Sequence, residues 1–493
     1  MPTFNERPNI LLVLTDQHRW DFMGYMGHLA MQGLTPHFDR LAREGAAFTH
    51  CYSPNPLCMP ARNAIHTGLY TFQSGQMNNV GDWPMALPTF TQALQALGYH
   101  TALTGKIHAH EGVGYDLDLA EPRWRQEIRA LGFDDVLQVA GKTMAFFVDD
   151  DYTQYLAERG LLYAYREDIV ERVEARGRGE ADCWPSILPE EAFVDAFIGR
   201  HAAEWFRRYD DERPWFHMLS FCSPHPSYDA PASALERVDR RLVPLSPHHD
   251  HPEDLRDMVA NYIAQIHVVD EHLGLVLAAL EERGWLDDTL ILFTADHGEM
   301  GVGPDAGDTG KSGKCHWEDG STRVPLLVRP PSRMAATVVP PGSRVEAPVS
   351  CHDVTATILD AAGGKGHAAQ ALPGCSSRSL WPLLDGTVKQ TREAVYSENG
   401  GQFAPAWRMM DDGAWKYVWL VETAQELLFY KVEDPFCLSD VAADHPDVVA
   451  RLRRAMLSEH LEHPAPKTGR AAYSPLIPHR IGRERLERYN RGQ

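Results

Sequence analysis

Several long apolar runs in this chain stop abruptly at polar residues. Asn9-Ile-Leu-Leu-Val-Leu-Thr15 breaks off at Asp16, and Pro214-Trp-Phe-His-Met-Leu-Ser-Phe221 gives way to Ser223-Pro-His225. Thr289-Leu-Ile-Leu-Phe-Thr294 stops at Asp296-His297. Runs without a polar alternation suit strands buried on both faces of a parallel or mixed sheet. A shorter strand is predicted over Tyr99–Leu103 and another over Ala46–Tyr52. Between them the spacing changes to a helical one. Thr35 to Gly45 reads as a helix with Thr35 as its cap, Pro36 in its first turn and Gly45 at its end. Further helices are predicted from Pro60 to Gly68, from Leu87 to Leu97, and over a long amphipathic stretch from Pro252 to Arg283. Alternating strands and helices indicate a layered α/β fold with a large central, mixed but mostly parallel sheet between helices.

Past Leu372-Pro-Gly the pattern turns to short aromatic pieces, Glu393-Ala-Val-Tyr-Ser397 and Trp415-Lys-Tyr-Val-Trp419, followed by a helix near Pro446–His460. The reading is an α/β domain over 1–375, a smaller α+β domain over 376–463, and an Arg- and Pro-rich arm over 464–493.

At 493 residues the chain is long enough for such a pair of cores. Its net charge of −21 disfavours nucleic acid and anionic membranes as partners, so any anion site must be locally positive. The eight Cys include no C-x-x-C pair, which argues against a disulfide scaffold and a structural zinc site. The first residues lack the basic and apolar regions of a secretory signal, and no apolar run is long enough to span a bilayer. The expectation is a cytoplasmic protein with no membrane partner.

Polar residues gather where the buried strands end: Asp16 and Gln17, Lys106 and His108, His225, then Asp296 and His297. The carboxyl ends of strands form the ligand crevice of open α/β sheets, so these residues describe one site. Its oxygen-rich acidic members favour Ca²⁺, Mg²⁺ or Mn²⁺ over zinc. Cys58-Met-Pro-Ala-Arg62 places a thiol, a helix-opening Pro and a forked cation together. A helix N-terminus and an Arg side chain both attract tetrahedral oxyanions.

That pentapeptide resembles the signature of the sulfatase family, in which the Cys is converted to formylglycine. Other segments are similar to family motifs in the same order. They are Asn9–Gln17, Thr35–Phe48, Gly98-Tyr-His-Thr-Ala-Leu-Thr-Gly-Lys-Ile-His108, Thr294-Ala-Asp-His-Gly-Glu299, Gly313-Lys314 with Arg323-Val-Pro-Leu-Leu327, and Cys351–Asp360. The resemblance implies an alkaline-phosphatase-like fold and one divalent metal ion, Ca²⁺ first, with Mg²⁺ or Mn²⁺ as alternatives. Asp16, Gln17, Asp296 and His297 match its ligands, with the converted Cys58 completing the set and serving as nucleophile. Arg62 and Lys106 match groups that hold the nucleophile, and His108 the base that collapses the covalent hemiester. His225 and Lys314 match groups that grip the sulfate and assist the leaving oxygen, His225 supplying the proton. A small sulfate ester as substrate, a formylglycine-generating enzyme as transient partner and a homo-oligomeric state are implied as well.

The pattern also departs from the family. Ala61 stands where Ser is common, and Gln17 and His297 where many relatives have Asp and Asn. Related phosphonate monoester hydrolases carry such variants. Hydrolysis of phosphonate monoesters or phosphodiesters is therefore one alternative. A relative with unmodified Cys58 and a weak phosphoesterase or binding role is the other. The substrate pocket is expected within 110–210 and 225–250, with Phe72, Trp83 and Tyr228 as candidate lining residues. His248-His-Asp-His251 and Asp149-Asp-Asp151 read as solvated loops.

Overall fold

The computed structural model describes residues 7–111, 117–178, 180, 182–243, 252–303 and 311–462. The predicted arm over 464–493 and the His248–His251 tract lie outside these residues.

Eight strands form one sheet: β1 (Asn9–Asp16), β2 (Ala46–Phe48), β3 (His100–Gly105), β4 (Asp135–Gln138), β5 (Trp215–Pro224), β6 (Thr289–Ala295), β7 (Leu326–Arg329) and β8 (Ser343–Val345). Their order is β8-β2-β7-β6-β1-β5-β3-β4. Neighbours run parallel except on the two sides of β7. The most apolar runs therefore occupy the centre, β1 between β5 and β6, as their unbroken hydrophobicity requires.

Successive residues of β1 serve opposite layers. Leu11 and Val13 join a core with Phe38 of α1 (Pro36–Glu44), Phe197 of α3 (Val194–Arg208) and Ile263 of α4 (Pro252–Glu282). Ile10, Leu12 and Leu14 join the other core with Ile65 of α2 (Cys58–Thr67) and Ile358 of α5 (Asp353–Gly363). Helix α4 is apolar and long enough to cross a membrane, but 72% of its most apolar window is buried within the protein.

Residues 395–462 build a second sheet, β9 (Val395–Asn399), β10 (Trp407–Asp411), β11 (Trp415–Leu420) and β12 (Glu426–Tyr430), antiparallel in chain order. Helix α6 (Pro446–Glu462) packs Val449, Leu452 and Met456 against Tyr396, Met410, Tyr417 and Leu428 of that sheet. Buried ion pairs join it to the main unit, Lys416 to Asp319 at 2.6 Å and Lys431 to Asp319 at 2.9 Å.

Four local expectations need correction. The predicted strand Ala46–Tyr52 is broken, because Cys51–Tyr52 pairs with Val349–Ser350 outside the main sheet. Helix α2 begins at Cys58, since Pro60 fits its first turn instead of opening it. Asp149–Asp151 is no solvated turn: Asp150 is fully buried and caps the helix Asp151–Glu158 with Thr153.

The fourth concerns the α1 cap. The Thr35 hydroxyl accepts from the Gly24 N–H and leaves the helix uncapped. The carboxylate of Asp270, from α4, accepts from the N–H groups of His37 (3.1 Å) and Phe38 (2.8 Å) instead. Burial pushes this carboxyl up to about 8. A group that holds its proton more tightly when folded contributes full stability below its unfolded value of about 4, and loses that contribution as pH rises through its folded value. Asp270→Asn keeps an acceptor without titrating. It should gain stability relative to the wild type between about pH 5 and about pH 9 in paired melting curves. Asp270→Ala removes the cap and should cost ~1–2 kcal/mol.

Candidate active site

The carboxyl ends of β1, β6, β5 and β3 deliver the predicted residues to one place. Adjacent β1 and β6 put Asp16-Gln17 beside Asp296-His297. Backbone bonds lock this pair of strand ends, with both the Gln17 and the His297 N–H groups donating to Asp296 Oδ1 at 3.0 and 2.8 Å. Gln17 and His108 both have left-handed backbones, φ 64° and 59°, where their strands turn into the site.

Helix α2 points its N-terminus at these groups, and Cys58 is its first residue. The thiol is buried and surrounded by charge. Cys58 Sγ lies 3.1 Å from His297 Nε2, 3.7 Å from Asp16 Oδ1 and 2.9 Å from Lys314 Nζ. Lys314 Nζ is also 3.2 Å from His225 Nε2. One turn into the helix, Arg62 donates to Asp296 Oδ2 at 2.8 Å, Asp16 Oδ2 at 3.3 Å, the Lys106 carbonyl at 2.7 Å and Ser220 Oγ at 2.9 Å. Lys106 Nζ completes the ring at 2.7 Å from Asp16 Oδ2.

These contacts set the charge states. Burial alone would raise the Asp16 pKa, but Lys106, Arg62 and Lys314 together hold it well below the usual carboxylate range. Burial and Asp16 oppose ionisation of Cys58, yet Lys314, His297 and Lys106 bring its pKa below that of an ordinary thiol. Burial, then Lys106 for His108 and Lys314 for His225, hold both imidazoles well below their usual value, so both are neutral near pH 7.

Asp16, Cys58, Asp296 and His297 each offer a donor atom, all within 4.8 Å of one another. His297 Nδ1 donates to the Gly298 carbonyl at 3.0 Å, which leaves Nε2 for the centre. Gln17 Nε2 is held by Glu299, while its Oε1 is buried without a partner among the described residues. Two carboxylates, an imidazole nitrogen and an orphaned amide oxygen are a donor set that fits a divalent cation.

Known proteins give the same picture. The sulfatase family model matches residues 8–364. The chain belongs to the sulfatase family. It is 28% identical over 469 residues to a choline-sulfatase of Rhizobium meliloti, covering 88% of this chain and 82% of that protein. It is 28% identical over 438 residues to the multifunctional alkaline phosphatase superfamily protein PehA of Trinickia caryophylli, covering 80% of each. The fold is that of the phosphonate monoester hydrolase of Agrobacterium radiobacter, with a TM-score of 0.72 at 23% identity over 95% of this chain and 100% of that one.

Cys58 of this sulfatase opens into a cavity of about 710 Å³. The predicted loops supply Glu111, Met144, Arg176 and Tyr228 to its walls, but Asn79, Met258, Gln402 and Phe403 come from elsewhere. Two of the three aromatic candidates are packing residues. Phe72 stacks on His460 and meets Tyr396, and Trp83 is buried beside His66. Cys315 lies buried under the site, its N–H donating to the Pro56 carbonyl.

Sequence reasoning missed two supports. Glu299 accepts from the Gly301 and Gly313 N–H groups at 2.7 and 2.5 Å, and holds the side chains of Gln17 and Tyr228. The acidic residue three places past Asp296 was the available signal. Ser220 hid inside an apolar strand.

Arg62 neutralises two carboxylates that are fully buried. Arg62→Ala should lower stability by ~3–5 kcal/mol in denaturant titration, because it leaves buried charge unpaired. Arg62→Lys should recover only part of the loss, since an ammonium lacks the fork.

Proposed function

We propose that this sulfatase hydrolyses small sulfate monoesters through a formylglycine made from Cys58 and a covalent hemiester on it. The observation that carries the reading is the position of Cys58. It is the first residue of a helix, ringed by Lys314, His297 and Asp16, at the base of an open cavity. A divalent cation held by Asp16, Gln17, Asp296, His297 and the modified residue 58 would supply Lewis acidity at that point.

The protein's own groups supply the rest. Arg62 pairs with Asp16 and Asp296, and Lys106 with Asp16, which fixes both carboxylates in place. Lys314, at hydrogen-bond distance from position 58, stabilises the negative charge of the transferring sulfuryl group. The proton for the leaving oxygen comes from the Lys314–His225 pair, in which Lys314 is the charged member. One hydroxyl of the hydrated aldehyde attacks sulfur as the S–O bond to the alcohol breaks. His108, a neutral imidazole whose Nδ1 is buried without a partner among the described residues, suits a base that then removes the proton of the other hydroxyl. Collapse of the hemiester then expels sulfate and restores the aldehyde.

One observation favours a second reading. At position 17 a neutral amide stands in place of a carboxylate, which lowers the site's formal negative charge and suits phosphonate monoesters or phosphodiesters as well.

Mass spectrometry of the Cys58 peptide, from a host with the converting enzyme, should show a loss of about 18 Da. An intact thiol in fully active protein would overturn the formylglycine mechanism. A panel of sulfate, phosphonate and phosphodiester substrates should give the highest kcat/KM on a sulfate monoester. Cys58→Ala should lower that value by about 10³-fold or more.

A further inference from the structure

The connection between β9 and β10 reaches out of its own sheet to the start of the nucleophile helix. Leu57, in the cap position of α2, has no side-chain acceptor for the first-turn N–H groups. Asn79 supplies one from outside, its Oδ1 accepting from the Met59 N–H at 2.9 Å. Asn79 is itself held in place by the connection, where Gln402 Oε1 accepts from the Asn79 N–H at 2.6 Å.

The rest of the connection is shaped for this contact. Gly400 sits so close that a Cβ there would lie 2.8 Å from the Met77 carbonyl oxygen and 2.7 Å from Asn78 Oδ1. Asn399 Nδ2 donates to the carbonyls of Ala404 and Pro405 at 3.2 and 3.1 Å, which folds the turn on itself. Trp407, which closes it, donates its indole N–H to the Cys315 carbonyl at 2.8 Å, one residue from Lys314.

We propose that Asn79 and Gln402 are positioning residues of this enzyme. They form a relay by which the C-terminal sheet fixes the first turn of α2 and so the aim of residue 58. The inference rests on residue 58 being the nucleophile. A helix that starts at its nucleophile has no preceding turn to hold that residue. An acceptor on the next N–H restrains it directly, and Gln402 restrains the acceptor. Gln402 acts through Asn79, and Asn79 acts through Met59.

The test uses the full chain with its metal, from a converting host, and divides each rate by the fraction of position 58 converted. Asn79→Ala should lower kcat by about 10-fold with KM within about two-fold, as a small misplacement of a reacting group does. Asn79→Asp, whose carboxylate accepts the same bond, should return kcat to within about three-fold of the wild type. The double variant Asn79→Ala/Gln402→Ala should be no slower than Asn79→Ala, because both remove one relay. An unchanged kcat, a rise confined to KM, or additive losses in the double variant would each overturn the proposal, the second by making these residues substrate contacts. Hydrogen exchange in the Leu57–Thr67 peptide supplies an arm that needs no substrate. The Met59 amide should exchange about 10-fold faster in Asn79→Ala and Gln402→Ala. Unchanged exchange sinks the relay even if sulfate esters are hydrolysed, and faster exchange supports it even if they are not.

Discussion

The arrangement depends on two carboxylates that share a dry site. Adjacent parallel strands set Asp16 and Asp296 side by side at the sheet's carboxyl edge, where water cannot screen them. Like charges so placed would push one another's pKa values up unless opposite charge is built in. Arg62 and Lys106 supply it, each bonding an Oδ2 atom, which leaves the Oδ1 atoms turned towards Cys58 and His297. The cations therefore do two things at once: they make the buried carboxylates tolerable, and they orient their remaining lone pairs. Removing either cation should affect stability and chemistry together, because one set of bonds serves both.

A second set of buried charges ties the C-terminal sheet to the main unit. Asp319 follows the Lys314 segment and meets Lys416 and Lys431, and Lys431 also reaches Asp411. With Trp407 on the Cys315 carbonyl, these bonds place β10 and β11 against the segment that carries Lys314. The smaller sheet is thus part of the frame of the site, and two of its loop residues, Gln402 and Phe403, form part of the cavity wall.

The layered fold and the cluster of site residues were legible because the apolar runs of β1, β5 and β6 end at polar residues of the right kinds. Such runs suit central strands, and the carboxyl ends of adjacent parallel strands lie side by side along one end of the sheet. What stayed hidden depends on contacts distant in sequence. Nothing near Thr35 shows that Asp270, 233 residues beyond His37, would take over the cap of α1. Nothing near Asp150 shows that the Ala140 N–H would donate to its buried carboxylate. Asn79 and Gln402 carry no motif, and their relevance comes only from the path of two loops. Glu299 lay within a recognised segment, but its role needed the Gly313 N–H brought back beside it.

The position of β1 in the sheet has a consequence for synthesis. This strand leaves the ribosome before both of its neighbours, β5 and β6, and the bond from the Gln17 N–H to Asp296 spans 279 positions of the chain. At ordinary translation rates that interval is on the order of tens of seconds. Until β5 (Trp215–Pro224) is made, a strand built to be covered on both faces has no partner on either edge, and until β6 (Thr289–Ala295) follows it is paired on one edge at most. The topology that buries β1 at the centre of the finished sheet leaves the same apolar run uncovered in the nascent chain, and a high contact order delays relief. Yield in a heterologous host should therefore depend on chaperone supply and on the rate of translation.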